Sequence, residues 1–271
     1  MNSRLPAFFQ LGKYNISPED VVRCTFGCEP DTIENKVIVT PNWGPDVFAD
    51  AADAITEIAS GLRSVWQLSY AGRVLSLIRS GIGAPMAGEA VLALGCTPCK
   101  TLIFTGSLAG LHKDIRIGDL FVVERSICGD GFSRYLNSDI LPNDSFLQPV
   151  IPARDLTEHV KGQAAEICHS RSLPLHQGTV FSTDSVLTEF FRLNHFLEEL
   201  KCTGLEMETA AVFRSANLLR IEAAALLVVS DTPLQNKSLF SGRTLEDRER
   251  VRANRRGVLA RAILDSLVSF E

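Results

Sequence analysis

From residue 36 onward the chain alternates between two hydrophobic patterns. Short continuous apolar runs, several of them β-branched, predict buried strands at KVIVT (36–40), VLSLI (74–78), TLIFTG (101–106), GDLFVVERSI (118–127), residues 175–182 and AALLVVS (224–230). Between them, apolar positions recurring every three or four residues predict helices. One starts near Asp46 and carries Val47, Ala51, Ile55, Ile58 and Leu62; others cover 86–95, 155–171, 186–200 and 209–220. A charged terminal helix over 243–270 turns Val251, Val258, Leu259, Ala262, Ile263 and Leu267 toward the core. Residues 80–85 read as a glycine turn and 107–115 as a loop. Residues 129–154, polar and interrupted by Pro142, Pro149 and Pro152, read as a long loop of the kind that serves function or a subunit contact.

Strands and helices alternate without a linker or low-complexity segment. That order predicts an α/β fold, a three-layer α/β/α domain over 36–271 with a mixed, mostly parallel central sheet. Residues 1–35, with weak periodicity, read as an N-terminal arm or cap.

At 271 residues and 45% hydrophobic content, the chain has enough apolar material for one large core. A net charge of −5 excludes a nucleic-acid polymer as partner, because tracking phosphates needs a basic face. A single nucleoside or nucleotide remains compatible. No signal-peptide pattern or membrane-length apolar run is visible, and seven cysteines, an odd number, fit reduced thiols, so a soluble cytoplasmic protein is expected. Cys96 and Cys99 have the spacing of half a zinc or redox site, but no second pair accompanies them. His112, His159, His169, His176 and His195 show no ligand spacing, so no metal is expected. Arg248, Arg250, Arg252, Arg255 and Arg256 alternate with acids and read as a solvated helix face.

The stretch that concentrates chemistry is 204–234, with Glu206-Met207-Glu208 at its start and Ser230-Asp231 near its end. In an open α/β sheet ligands bind beyond the carboxyl ends of the strands. A helix starting at Glu208 and a strand ending before Asp231 therefore put both acids on one rim, where one can donate a proton and the other orient a hydroxyl. The plainer readings are that Asp231 caps the turn before Thr232-Pro233 and that Glu206 and Glu208 only favour a helix N-terminus.

GLEMETAAVF followed by VVSDTPL resembles the signature of the nucleoside phosphorylase/nucleosidase superfamily. That group includes purine nucleoside and uridine phosphorylases, methylthioadenosine/adenosylhomocysteine nucleosidases and the catalytic domain of AMP nucleosidase, to which VVSDTPLQNK and the terminal helix are most similar. Three more segments match in family order: Arg79-Ser80-Gly81-Ile82-Gly83; Thr105-Gly106-Ser107 through Leu111, with Ile117-Gly118-Asp119; and Gly178 through Asp184. The resemblance implies a nucleoside phosphorylase-like fold and cleavage of a ribose–base bond through an oxocarbenium-like transition state. It implies Asp231 as the acid that protonates a purine, oriented by Ser230, with Phe181 and Ser182 in the base pocket. Glu206, Met207 and Glu208 would hold the ribose, and Arg79, Gly81, Thr105, Gly106 and Ser107 would hold phosphate or the attacking water. No cofactor is implied, only inorganic phosphate as co-substrate in a phosphorylase. Phe104 stands where the related phosphorylases carry an arginine, and PNWGPDVF has no counterpart of their N-terminal phosphate arginine. Hydrolysis is therefore favoured over phosphorolysis, with Asp46 the nearest acid for activating water unless it only caps a helix. Purine is favoured over uracil because Asp231 is present and no Gln/Arg pair follows Ser182. A phosphorolytic enzyme and a catalytically silent nucleoside-binding relative are the alternatives. The family resemblance also implies a homodimer or a trimer of dimers.

Overall fold

The computed structural model of the chain describes residues 10–136 and 145–271. Much of the long loop expected over 129–154 lies outside the described residues. Eleven strands form one sheet: β1 (Lys36–Thr40), β2 (Ala54–Ala59), β3 (Ser64–Tyr70), β4 (Arg73–Arg79), β5 (Thr101–Phe104), β6 (Ser107–Gly110), β7 (Leu120–Gly129), β8 (Pro149–Val150), β9 (Leu175–Thr183), β10 (Gly204–Glu206) and β11 (Glu222–Asp231). Their order is β2-β3-β4-β1-β5-β11-β6-β10-β9-β7-β8, and β7 also pairs with β11, so five strands close into a ring. The pairs β4–β1, β1–β5, β5–β11, β11–β6, β10–β9 and β9–β7 are parallel.

Helices cover both faces. On one lie α1 (Pro18–Phe26), α2 (Ala84–Leu94) and, later in the chain, α5 (Thr209–Leu219); on the other lie α3 (Arg154–Ser170) and α7 (Ala260–Ser269). The short helix α4 (Thr188–Asn194) follows β9, and α6 (Leu245–Asn254) precedes α7. Strand β11 shows why its sequence is a continuous apolar run. Ala223, Ala225, Leu227 and Val229 enter one core, while Ala224, Leu226 and Val228 enter the other. A strand covered on both sides has no solvent face to make polar.

Two expectations need correction. The helix expected from Asp46 is instead a 3-10 turn, Pro45–Val47, followed by the edge strand β2, which pairs antiparallel with β3. Ile55 packs against one core and Ile58 against the other, as residues three apart on a strand do. The loop expected over 107–115 contains β6, held between β10 and β11. Part of the N-terminal segment is firmly integrated: Ser17 and Asp20 form a capping box, Pro18 starts α1, and Val22 and Phe26 are buried in the core that includes α2. The helix expected over 186–200 is α4 plus a π turn, His195–Glu199, and the terminal helix is α6 and α7 joined by another, Arg255–Leu259. Cys96 and Cys99 are buried free thiols beside α2, and burial pushes the Cys99 thiol up. Among the described residues, no helix is long and apolar enough to cross a membrane.

Candidate active site

Strand β6 sets the spacing of the site. Its Ala109 pairs with Leu205 of β10 on one side and with Asp231 of β11 on the other. Two strand spacings place the backbones of Leu205 and Asp231 about 10 Å apart. The register of β11 shifts between Val229 and Asp231, a bulge at Ser230 that re-aims the end of the strand. Beyond this edge lies a cavity of about 280 Å³, close to the lower end for small-molecule sites. Asn42 after β1, Ser107–Ala109, Glu206–Glu208 and Ser230–Asp231 line it, together with Ile82, Val186, Glu189 and Leu239.

The two glutamates of the 206–208 segment do different work. Glu206 is enclosed by donors: Oε2 accepts the backbone N–H groups of Glu208 and Thr209, each at 2.7 Å, and Oε1 accepts the hydroxyls of Thr209, at 2.7 Å, and Ser182. Burial pushes its carboxyl up, while Ser182 and the other donors pull it back. These bonds satisfy the open N-terminus of α5 and fix the turn that presents Glu208. Glu208 spends one oxygen on the Gly83 N–H, at 2.7 Å. Gly83 has φ +93° and ends the glycine turn, so this turn reaches the site through its backbone. Burial, with the neighbouring Glu206 charge, pushes the Glu208 carboxyl up to about 8.

At the other end, Asp231 is buried. Its Oδ1 accepts the Ser230 hydroxyl at 2.6 Å, and its Oδ2 is buried with no hydrogen-bond partner. Burial raises its pKa, and Ser230, Arg243 and the Leu239 backbone pull it back. Arg243 donates to the Ser230 and Leu239 carbonyls, at 3.2 and 3.3 Å, and so ties the 232–242 loop over the end of β11. Glu189, in the first turn of α4, also faces the cavity; burial pushes it up to about 7, with the Asp231 charge adding to the rise.

Of the residues singled out from sequence, the cavity brings together Ser107, Glu206, Met207, Glu208, Ser230 and Asp231. Seven others do not line it. Arg79 turns back along the sheet, where its Nη2 donates to Ser64 Oγ at 2.9 Å and its guanidinium lies over Trp66. Gly81 shapes the turn, with φ +98° and its N–H on the Pro41 carbonyl. The Thr105 hydroxyl is used on the Leu226 carbonyl at 2.8 Å, and Gly106 accepts the Val228 N–H. Phe181 packs on Phe196, ring centroids 4.6 Å apart, and lines a separate cavity beside α4. Ser182 supports Glu206 from behind. Asp46 pairs with Arg256 at 2.8 Å, also away from the cavity. Sequence reasoning missed Glu189, Ile82, Leu239 and Asn42. Asn42 had a signal, since it lies just past the carboxyl end of β1.

The sequence pattern that defines the phosphorylase superfamily matches residues 36–265. The chain belongs to that superfamily. A DeoD-type purine nucleoside phosphorylase of Mycoplasma genitalium is 24% identical over 214 residues, covering 76% of this chain and 86% of that protein. Among solved structures, a uridine phosphorylase from Vibrio fischeri ES114 superposes with a TM-score of 0.71 at 22% identity, covering 88% of this chain and 93% of the other. An AMP nucleosidase from Bacteroides thetaiotaomicron gives a TM-score of 0.63 at 21% identity, covering 79% and 88%. These superpositions show the nucleoside phosphorylase-like fold; the superfamily match places the chain among enzymes of the phosphorylase superfamily.

Proposed function

We propose that this phosphorylase-superfamily member cleaves the N-glycosidic bond of a purine nucleoside or nucleotide, with water as the acceptor. The observation that carries the reading is that Glu208 and Asp231 line one nucleoside-sized cavity from opposite sides of β6. Asp231, whose carboxyl is pushed up by burial, gives a proton to the departing purine so that the base leaves uncharged. Glu208 keeps one oxygen free of Gly83 to accept a ribose hydroxyl, and in its ionised form it stabilises the cationic sugar. Met207, which also lines the cavity, packs against the sugar face.

The lining favours water over phosphate. Four acids, Glu189, Glu206, Glu208 and Asp231, line the cavity, and among its described lining residues none is Lys, Arg or His. A phosphate dianion brought there meets carboxyls instead of the guanidinium pairs that bind it best. Phosphorolysis is the second reading, favoured by the phosphorylase named among the relatives. The catalytic domain on this view is residues 36–271, with 1–35 as its cap, working in the cytoplasm as a homodimer or trimer of dimers. Inosine, adenosine, methylthioadenosine and AMP incubated with and without phosphate test the reaction. Free ribose or ribose phosphate formed without phosphate supports hydrolysis, and strict phosphate dependence replaces it with phosphorolysis. Binding of these compounds without turnover makes the chain a nucleoside-binding relative.

A further inference from the structure

A second cavity adjoins the catalytic one. It measures about 360 Å³, within the usual range for small-molecule sites, and Gly129, Phe146, Leu147, Phe181 and Phe196 form its apolar lining. Thr183 borders both cavities, and the segment around α4 divides them. Val186 and Glu189 line the catalytic cavity, whereas Ser185, Thr188, Arg192 and His195 line this one. Thr188, Arg192 and His195 follow the i, i+4, i+7 spacing of one helix face. The helix loses its regular geometry along that face: Arg192 is non-helical, with φ −124° and ψ 17°, and a π turn follows at His195–Glu199. Such turns recur at functional sites.

The aromatic lining is fixed. Phe181 and Phe196 are almost fully buried and stack with ring centroids 4.6 Å apart. The Arg134 guanidinium lies over the Phe146 ring, 4.7 Å from its centroid. Leu147, at φ +63°, holds a conformation that bulky residues seldom adopt, and its N–H donates to the Cys128 carbonyl at 2.7 Å. Among the polar lining residues, His195 is tied through Nδ1 to Glu199 at 3.1 Å, and Asp184 accepts the Gly131 N–H at 2.8 Å. Arg192 lies over the Phe191 ring, 5.4 Å from its centroid, and makes no ion pair among the described residues.

We propose that this cavity is a second ligand site, and that it binds a small aromatic anion, its ring against Phe146, Phe181 and Phe196 and its carboxylate or phosphate on Arg192. A guanidinium can donate two parallel N–H bonds to either anion, and the Thr188 hydroxyl lies one helical turn away. The phenylalanine rings offer a bound ring offset or edge-to-face contacts. An uncharged ring leaves the guanidinium without an acceptor, and an anion without a ring leaves the aromatic lining in water. The assignment is independent of the reaction carried out in the catalytic cavity.

Calorimetry on the full-length protein tests it with 2-naphthoate and 2-naphthyl phosphate. The controls are 2-naphthalenemethanol, a ring without charge, and inorganic phosphate, an anion without a ring. At least one naphthyl anion is expected to bind more tightly than both controls, and the tighter of the two assigns carboxylate or phosphate. Arg192→Gln is expected to weaken that binding by roughly 10- to 100-fold, the range for a lost hydrogen bond to a charged group, while Asp231→Asn in the catalytic cavity leaves it unchanged. Arg192 is exposed, so its replacement should leave the fold intact, and thermal melts check both variants. Binding that survives Arg192→Gln, or that is lost in Asp231→Asn, overturns the assignment. Naphthalenemethanol binding as tightly as the anions overturns it too, as does the failure of both naphthyl anions to bind at millimolar concentration.

Discussion

Replacing Glu189 with Gln should change how stability depends on pH. In the fold the carboxyl is almost fully buried, and its pKa is raised from 4.5 to about 7. The folded protein therefore holds a proton that the unfolded chain releases over that range. The group's contribution is intact below the unfolded pKa and is lost as pH rises through the folded one. At about 1.4 kcal/mol for each tenfold change in proton affinity, the full loss is about 3 kcal/mol, of which about 1 kcal/mol has already gone near pH 5. Gln cannot titrate, so on moving from about pH 5 to about pH 8 the variant should gain about 2 kcal/mol relative to wild type. Urea unfolding of both proteins at several pH values measures this directly. Glu208 titrates in both proteins and drops out of the difference. Parallel pH profiles for wild type and variant refute the argument, because they mean Glu189 is solvated or ionised in the fold.

The remaining expectations concern the site more directly. Asp231→Asn keeps the shape but removes the proton, and should lower kcat on purine nucleosides by about 10²- to 10⁴-fold with little change in ligand binding; steady-state kinetics and calorimetry check both parts. Glu208→Gln should lower kcat/KM by roughly 10- to 100-fold on ribosides and less on 2′-deoxyribosides, because the lost hydrogen bond is to a sugar hydroxyl; equal losses on both sugars place Glu208 elsewhere. Glu206→Ala leaves the Glu208 and Thr209 N–H groups without an acceptor and should destabilise the fold by about 2–4 kcal/mol, read by denaturant unfolding.

Legibility followed burial. KVIVT and AALLVVS were readable as strands because both faces of each are covered and the apolar run is unbroken. The stretch after Pro45 misled because Val47, Ala51, Ile55, Ile58 and Leu62 happen to match helical spacing, whereas an edge strand only has to half-bury its side chains. The capping box at Ser17 and Asp20 was a local signal for α1, and Pro18 reinforced it. In the site, Glu208 and Asp231 were legible because each lies at a predictable end of a helix or strand. Arg79, Thr105 and Phe181 follow the family motif in sequence, yet Ser64 and Trp66, the Leu226 carbonyl and Phe196 engage their side chains. Glu189 was not legible. It sits in a seven-residue helix of mixed polarity, and only the packing of α4 against the 232–242 loop gives it a cavity to face.

A crystal structure with a carbon-linked purine nucleoside analogue, which cannot be cleaved, tests the pairing of Glu208 and Asp231 most directly. A ribose hydroxyl within hydrogen-bond reach of Glu208, with the purine edge of the same molecule against Asp231, is the predicted result. A ligand that touches only one of these carboxyls, or that settles outside this cavity, contradicts it.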